Sequence, residues 1–80
     1  MTIGQVVALR IEELCKEHKI TVNKLATKSG ITQSTLNNIV NGVSTNPTIS
    51  TIKKICDGLG IKIIVFFDAE IFNNLEQELK

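Results

Sequence analysis

Residues 21–42 read TVNKLATKSGITQSTLNNIVNG, and this stretch decides the fold. The Thr21 hydroxyl is placed to cap the free amides of a short helix carrying Leu25 and Ala26. Gly30 tolerates the left-handed backbone that ends such a helix within one residue. Thr32 follows as a second cap, opening a helix with Leu36, Ile39 and Val40 on one side, and Asn41-Gly42 closes it. Two helices crossing steeply over a turn of about three or four residues need a small side chain where they approach, and Ala26 supplies it. Leu25, Ile31, Leu36 and Ile39 are expected to face inward and fix the crossing angle.

The side left outward is polar without being charged: Gln33, Ser34, Thr35, Asn37, Asn38 and Asn41. A helix surface kept only for solubility favours Glu and Lys, which are good helix formers. Between Thr32 and Asn41 there is no charged residue. Short neutral donors and acceptors suit the edges of bases and the oxygens of phosphates.

Upstream, Ile3, Val7, Ile11, Leu14 and Cys15 recur at steps of three and four and predict a first helix capped by Thr2 and ending near Lys19. Downstream, Val43–Thr48 reads as a polar loop with Pro47 before its end. Thr48 caps a fourth helix whose apolar face is Ile49, Ile52, Ile55, Cys56 and Leu59, with Gly58 and Gly60 ending it. Ile61–Phe67 is β-branched and aromatic, a strand by propensity. A solitary strand among helices lacks a partner, so the segment either pairs with its copy in another subunit or forms a short fifth helix. Asp68 is expected to cap a last helix over about Ala69–Leu79 with Ile71, Phe72, Leu75 and Leu79 as its apolar set.

Composition narrows the function classes. Eighty residues make one domain, and a formal net charge of +1 argues against a nonspecific polycation. The charge is unevenly spread: residues 1–67 carry a net +4 and residues 68–80 a net −3. The three aromatics, Phe66, Phe67 and Phe72, do not make a platform for stacking single strands. Cys15 and Cys56 sit at apolar-periodic positions and read as small core residues in a reducing compartment. With His18 they fall short of a metal site, so no metal and no cofactor is expected. Glu12, Glu13 and Glu17 read as a solvated helix face. No catalytic triad, phosphate loop or carboxylate pair can be assembled, and the chain is expected to be a non-enzyme. The longest apolar run, Ile63–Phe67, is far short of the roughly 20 residues of a membrane span. No leader-like run opens the chain, so a cytoplasmic protein without membrane contact is expected.

The segment KITVNKLATKSGITQSTLNNIVNG, a loop with Pro47, and TISTIKKICDGLGI together resemble the phage-repressor helix-turn-helix family of the Cro-like or XRE type, over roughly residues 5–67. The resemblance implies an all-α, lambda-repressor-like bundle of about five short helices, with the helix-turn-helix at about 21–41 and an added C-terminal helix. It implies a sequence-specific regulator of transcription, a repressor, that lays the helix at 32–41 in the major groove of double-stranded DNA. Gln33, Ser34, Asn37 and Asn38 would read bases. Thr21, Asn23, Lys28, Thr32, Thr35, Asn41, Gly42, Ser44, Thr45 and Asn46 would hold the backbone. On this reading residues 1–67 form the DNA-binding domain and residues 68–80 an extension. Residues 61–79 are the candidate homodimer element, because their apolar side chains exceed what a small core needs.

Four positions depart from the family pattern. Val22 stands where a Gln is common, and the loop Val43–Asn46 lacks the usual cation, leaving Lys24, Lys28, Lys53 and Lys54 to supply charge. Cys15 and Val40 stand where relatives bury an ion pair, and are expected to pack together instead. Two rival functions follow: an antitoxin that regulates its own operon and grips a protein partner, and an interaction module that has lost DNA binding.

Overall fold

The computed structural model describes residues 1–79, so Lys80 of the expected extension lies outside the described residues. The chain forms α1 (Ile3–His18), α2 (Val22–Ser29), α3 (Gln33–Val40), α4 (Ile49–Leu59) and α5 (Ile63–Phe67), followed by a 3-10 turn over Glu70–Asn74. The architecture is all-α, as expected, and among the described residues there is no strand. No helix is long and apolar enough to cross a membrane.

Four threonines start four helices. The hydroxyls of Thr2, Thr21, Thr32 and Thr48 accept from the amides of Gln5, Lys24, Thr35 and Thr51, and Gln5 answers Thr2 with a reciprocal bond to its amide. Each such cap is worth about 0.5–2 kcal/mol. Gly30 ends α2 at φ 69°, the left-handed region in which its missing Cβ removes the strain.

The core is aliphatic and draws on every helix. Val7, Ile11, Leu14, Leu25, Ala26, Leu36, Ile39, Ile52, Ile55, Cys56 and Phe66 are buried together. Cys15 belongs to the same cluster, and Val40 packs against it half-buried. Burial pushes both thiols up from their ordinary range, and Glu12 adds to the effect at Cys15. Thiols so placed are poor nucleophiles. Ile49, expected on the apolar face of α4, is instead 62% exposed.

Gly58 does not end α4. It lies buried within the helix, and a Cβ there would sit 2.2 Å from Ser29 Oγ and 3.0 Å from the Ser29 amide nitrogen. The missing side chain lets α2 and α4 pack backbone to backbone, and Gly60 is the residue that terminates α4.

Within residues 61–67, Ile63–Phe67 forms a helix and no strand is present. Two interactions outweigh the β-branched propensity: Phe66 is fully buried, and a charged side chain satisfies the end of the turn. Arg10, buried in α1, donates from Nε to the Phe66 carbonyl at 2.7 Å and from Nη2 to the Val65 carbonyl at 2.8 Å. Its Nη1 meets Glu13 at 2.6 Å. Glu13 is therefore more than a solvated residue, since it holds the guanidinium that closes α5.

The expected helix over 69–79 does not form. After α5 the chain makes only the 3-10 turn, preceded by Ala69 without a side-chain cap, and Asp68 closes α5 instead. Phe72 joins Phe66 and Phe67 with ring centroids 6.2 and 5.1 Å away. Beyond Asn73 and Asn74, Leu75 is extended and the Glu76 amide bonds to the Met1 carbonyl at 2.9 Å. Poor helix formers and this tether stop propagation. Leu79 is left 85% exposed.

Two stability outcomes follow. Arg10→Met should lower the unfolding free energy by roughly 2–4 kcal/mol, because it orphans two carbonyls and Glu13. Urea denaturation at unchanged slope would show this, and a loss under about 0.5 kcal/mol would contradict it. Gly58→Ala should cost about 1–3 kcal/mol despite the better helix propensity of alanine. An increase in the denaturation midpoint would show that the α2–α4 contact can relax.

Candidate nucleic-acid interface

The two inner residues of α3 determine what its outer side presents. Leu36 is wholly buried and Ile39 is 2% exposed, which turns Gln33, Ser34 and Asn38 to the exterior. Residues 33, 34, 37, 38 and 41 fall on one stripe at spacings of three and four. Asn37 is half-buried within it. The expected base-reading set is thus gathered on a single convex surface free of charge.

The expected backbone-contacting residues fall in two groups beside that stripe. On one flank is the exposed start of α2, where Thr21 caps the helix and the amides of Val22 and Asn23 lack intrahelical partners. Val22 turns into the core, which accounts for an apolar residue where the family often places Gln. Lys28 lies exposed in the last turn of α2. On the other flank, Thr35, Asn38, Ser44 and Asn46 converge with Pro47, Thr48 and Thr51 on a cleft of about 230 Å³.

The loop of residues 43–46 is held from both sides. The Asn38 carbonyl accepts from the amides of Val43 at 2.9 Å and Ser44 at 3.0 Å. Gly42, at φ 80°, makes that reversal possible. Buried Gly4 of α1 lies against Thr45, and a Cβ there would come within 2.7 Å of the Thr45 carbonyl oxygen. Asn41, Gly42 and Thr45 are exposed and stay outside the cleft. Thr32 is committed locally: its Oγ1 caps α3 and also donates to Thr35 Oγ1 at 2.8 Å.

Sequence reasoning missed the start of α4. Thr48 and Thr51 enter the cleft, and their hydroxyls lie 2.9 Å apart. The available signal was the run Thr48-Ile49-Ser50-Thr51, as uncharged as α3 itself. The cations lie to the side. Lys53 pairs with Asp57, while Lys24, Lys28 and Lys54 form no ion pair among the described residues.

Comparison with known proteins agrees with this geometry. The family model described as Helix-turn-helix matches residues 11–66. The chain is similar to the HTH-type transcriptional regulator SlrR of Bacillus subtilis (strain 168), 39% identical over 62 residues, covering 76% of this chain and 41% of that protein. It is likewise similar to the HTH-type transcriptional repressor RghR of the same organism, 40% identical over 52 residues, covering 65% of this chain and 38% of the relative. The chain thus spans about two fifths of the length of these curated relatives. Among solved structures, prophage Lp1 protein 11 superposes with a TM-score of 0.81 at 40% identity, covering 94% of this chain and 99% of that one. The chain belongs to the helix-turn-helix family, of the Cro-like type that its sequence resembles.

Proposed function

We propose that the chain binds double-stranded DNA in a sequence-specific way and regulates transcription in the cytoplasm, as a repressor. The observation that carries this reading is the neutral hydrogen-bonding stripe of α3, set between the free amides of α2 and the polar cleft. Gln33, Ser34, Asn37 and Asn38 meet base edges in the major groove, where side-chain amides match adenine N6 and N7. Thr21, Asn23, Lys28, Thr35, Ser44 and Asn46 hold phosphates on either side, with Thr32, Asn41, Gly42 and Thr45 at the margins. The chain acts by binding, and residues 1–67 carry that function. The similarity to SlrR, named a transcriptional regulator, and RghR, named a transcriptional repressor, supports this direction of control.

Specificity from so short a helix calls for a symmetric pair on half-sites about one DNA turn apart. Ile64 and Val65 of α5 are 71% and 42% exposed, and Leu75 and Leu79 follow them in the extension. This apolar surface supports a homodimer through residues 61–79. The cation-free loop favours a second reading, in which that surface takes a protein partner and DNA binding has been lost.

Gln33→Ala should cost about 1–3 kcal/mol on the preferred sequence and relax the choice at one base pair. Lys28→Ala should weaken every sequence alike and reduce the salt slope by about one. Binding to selected and random duplexes at two salt concentrations measures both. Equal losses from the two substitutions on all duplexes would remove Gln33 as a base reader. Absence of any retained duplex at low salt would favour the second reading.

A further inference from the structure

Among the described residues, one side-chain hydrogen bond joins the two helices of the helix-turn-helix. Asn37 Nδ2 of α3 donates to Asn23 Oδ1 of α2 at 3.4 Å, between residues 14 apart in sequence. The bond is long, and it falls on the half-buried member of an otherwise exposed stripe. Asn23 is itself tied into α2, where its carbonyl accepts from Thr27 Oγ1 at 3.3 Å.

A side-chain amide turns easily about its last torsion, so an isolated asparagine can present its donor and acceptor in either order. That freedom blurs base readout, because adenine presents a donor at N6 where guanine presents an acceptor at O6. With one Nδ2 hydrogen given to Asn23, the Asn37 amide has a preferred orientation. Its Oδ1 and its second Nδ2 hydrogen remain for the duplex.

We infer that Asn23 is a positioning residue: it orients the Asn37 amide and thereby sets the base preference at the position Asn37 faces. The inference rests on α3 entering the major groove as proposed above, and it gives Asn23 a role beyond that of a phosphate contact.

The test is selection from a randomised duplex library with the intact chain and four variants: Asn23→Ala, Asn23→Asp, Asn37→Ala and the double alanine substitution. Asn23 is exposed, so the two Asn23 single variants should unfold near the temperature of the unaltered protein, and thermal unfolding of all four variants checks that each is folded. Asn37→Ala should abolish preference at one base pair. Asn23→Ala should weaken preference at that same base pair by about 2- to 10-fold, the worth of one ordinary hydrogen bond, and leave the others unchanged. Asn23→Asp keeps the accepting oxygen, so it should retain the preference while binding all duplexes more weakly through its added negative charge. The double variant should lose no more preference than Asn37→Ala alone. Two results would overturn the positioning role: an Asn23→Ala motif identical to that of the unaltered protein, or an Asn23→Asp motif relaxed as fully as the alanine one. Failure of the unaltered protein to select any motif would instead remove the base-reading function, and this inference with it.

Discussion

The structure depends on the rotation of one two-turn helix about its own axis. Leu36 and Ile39 insert from α3 into a core shared with Leu25 and Ala26 of α2 and Val7, Ile11 and Leu14 of α1, and both are essentially inaccessible to water. Rolling the helix enough to hide its polar stripe would expose these residues and bury several amides. Each exposed aliphatic side chain costs about 1.5–3 kcal/mol, and each unpaired buried amide costs a comparable amount. A helix of eight residues is marginal by itself, so packing holds it and also chooses which side it shows. The absence of charge on that side then has a chemical consequence. Neutral amides and hydroxyls can discriminate between bases at close range, while the cations that raise affinity without discrimination are kept to the sides.

The rest of the molecule supports that helix from behind. Eight of the 16 residues of α1 are buried, and the helix reaches two distant places. Through Arg10 it closes α5, and through Gly4 it seats the loop that follows α3. One element therefore connects the apolar surface of α5, Ile64 and Val65, with the polar cleft at the start of α4. A symmetric pair formed through the first would fix the distance between two copies of the second.

Much of this was legible in the sequence because caps and turns depend on neighbours in the chain. A threonine three residues before an amide that needs a partner is a local signal, and all four such starts could be read. The same holds for the apolar spacing of Leu25, Leu36 and Ile39 and for the polar stripe between them. Arg10 was not legible, since its partners are backbone carbonyls 55 and 56 positions away and every residue has a carbonyl. Gly58 was misread because glycine serves both to end a helix and to admit a neighbouring backbone, and the choice depends on what packs there. Residues 61–67 left strand and helix open, since propensity favoured one and the lack of a pairing partner the other. Leu75 and Leu79 have helical spacing, yet Asn73, Asn74 and the tether of Glu76 to Met1 prevail. The cleft residues Thr48 and Thr51 were visible as caps and hidden as surface, because their convergence with Ser44 and Asn46 is tertiary.

The most direct measurement of the central claim is a nuclear magnetic resonance titration of the isotope-labelled chain with a duplex recovered by selection. The account predicts that the backbone and side-chain amide signals that move most belong to Gln33, Ser34, Asn37 and Asn38, then to residues 21–24 and 42–48, while the signals of Glu12, Lys16 and His18 on the outer side of α1 stay in place. Shifts confined to residues 61–75, with the α3 signals unmoved, would contradict it.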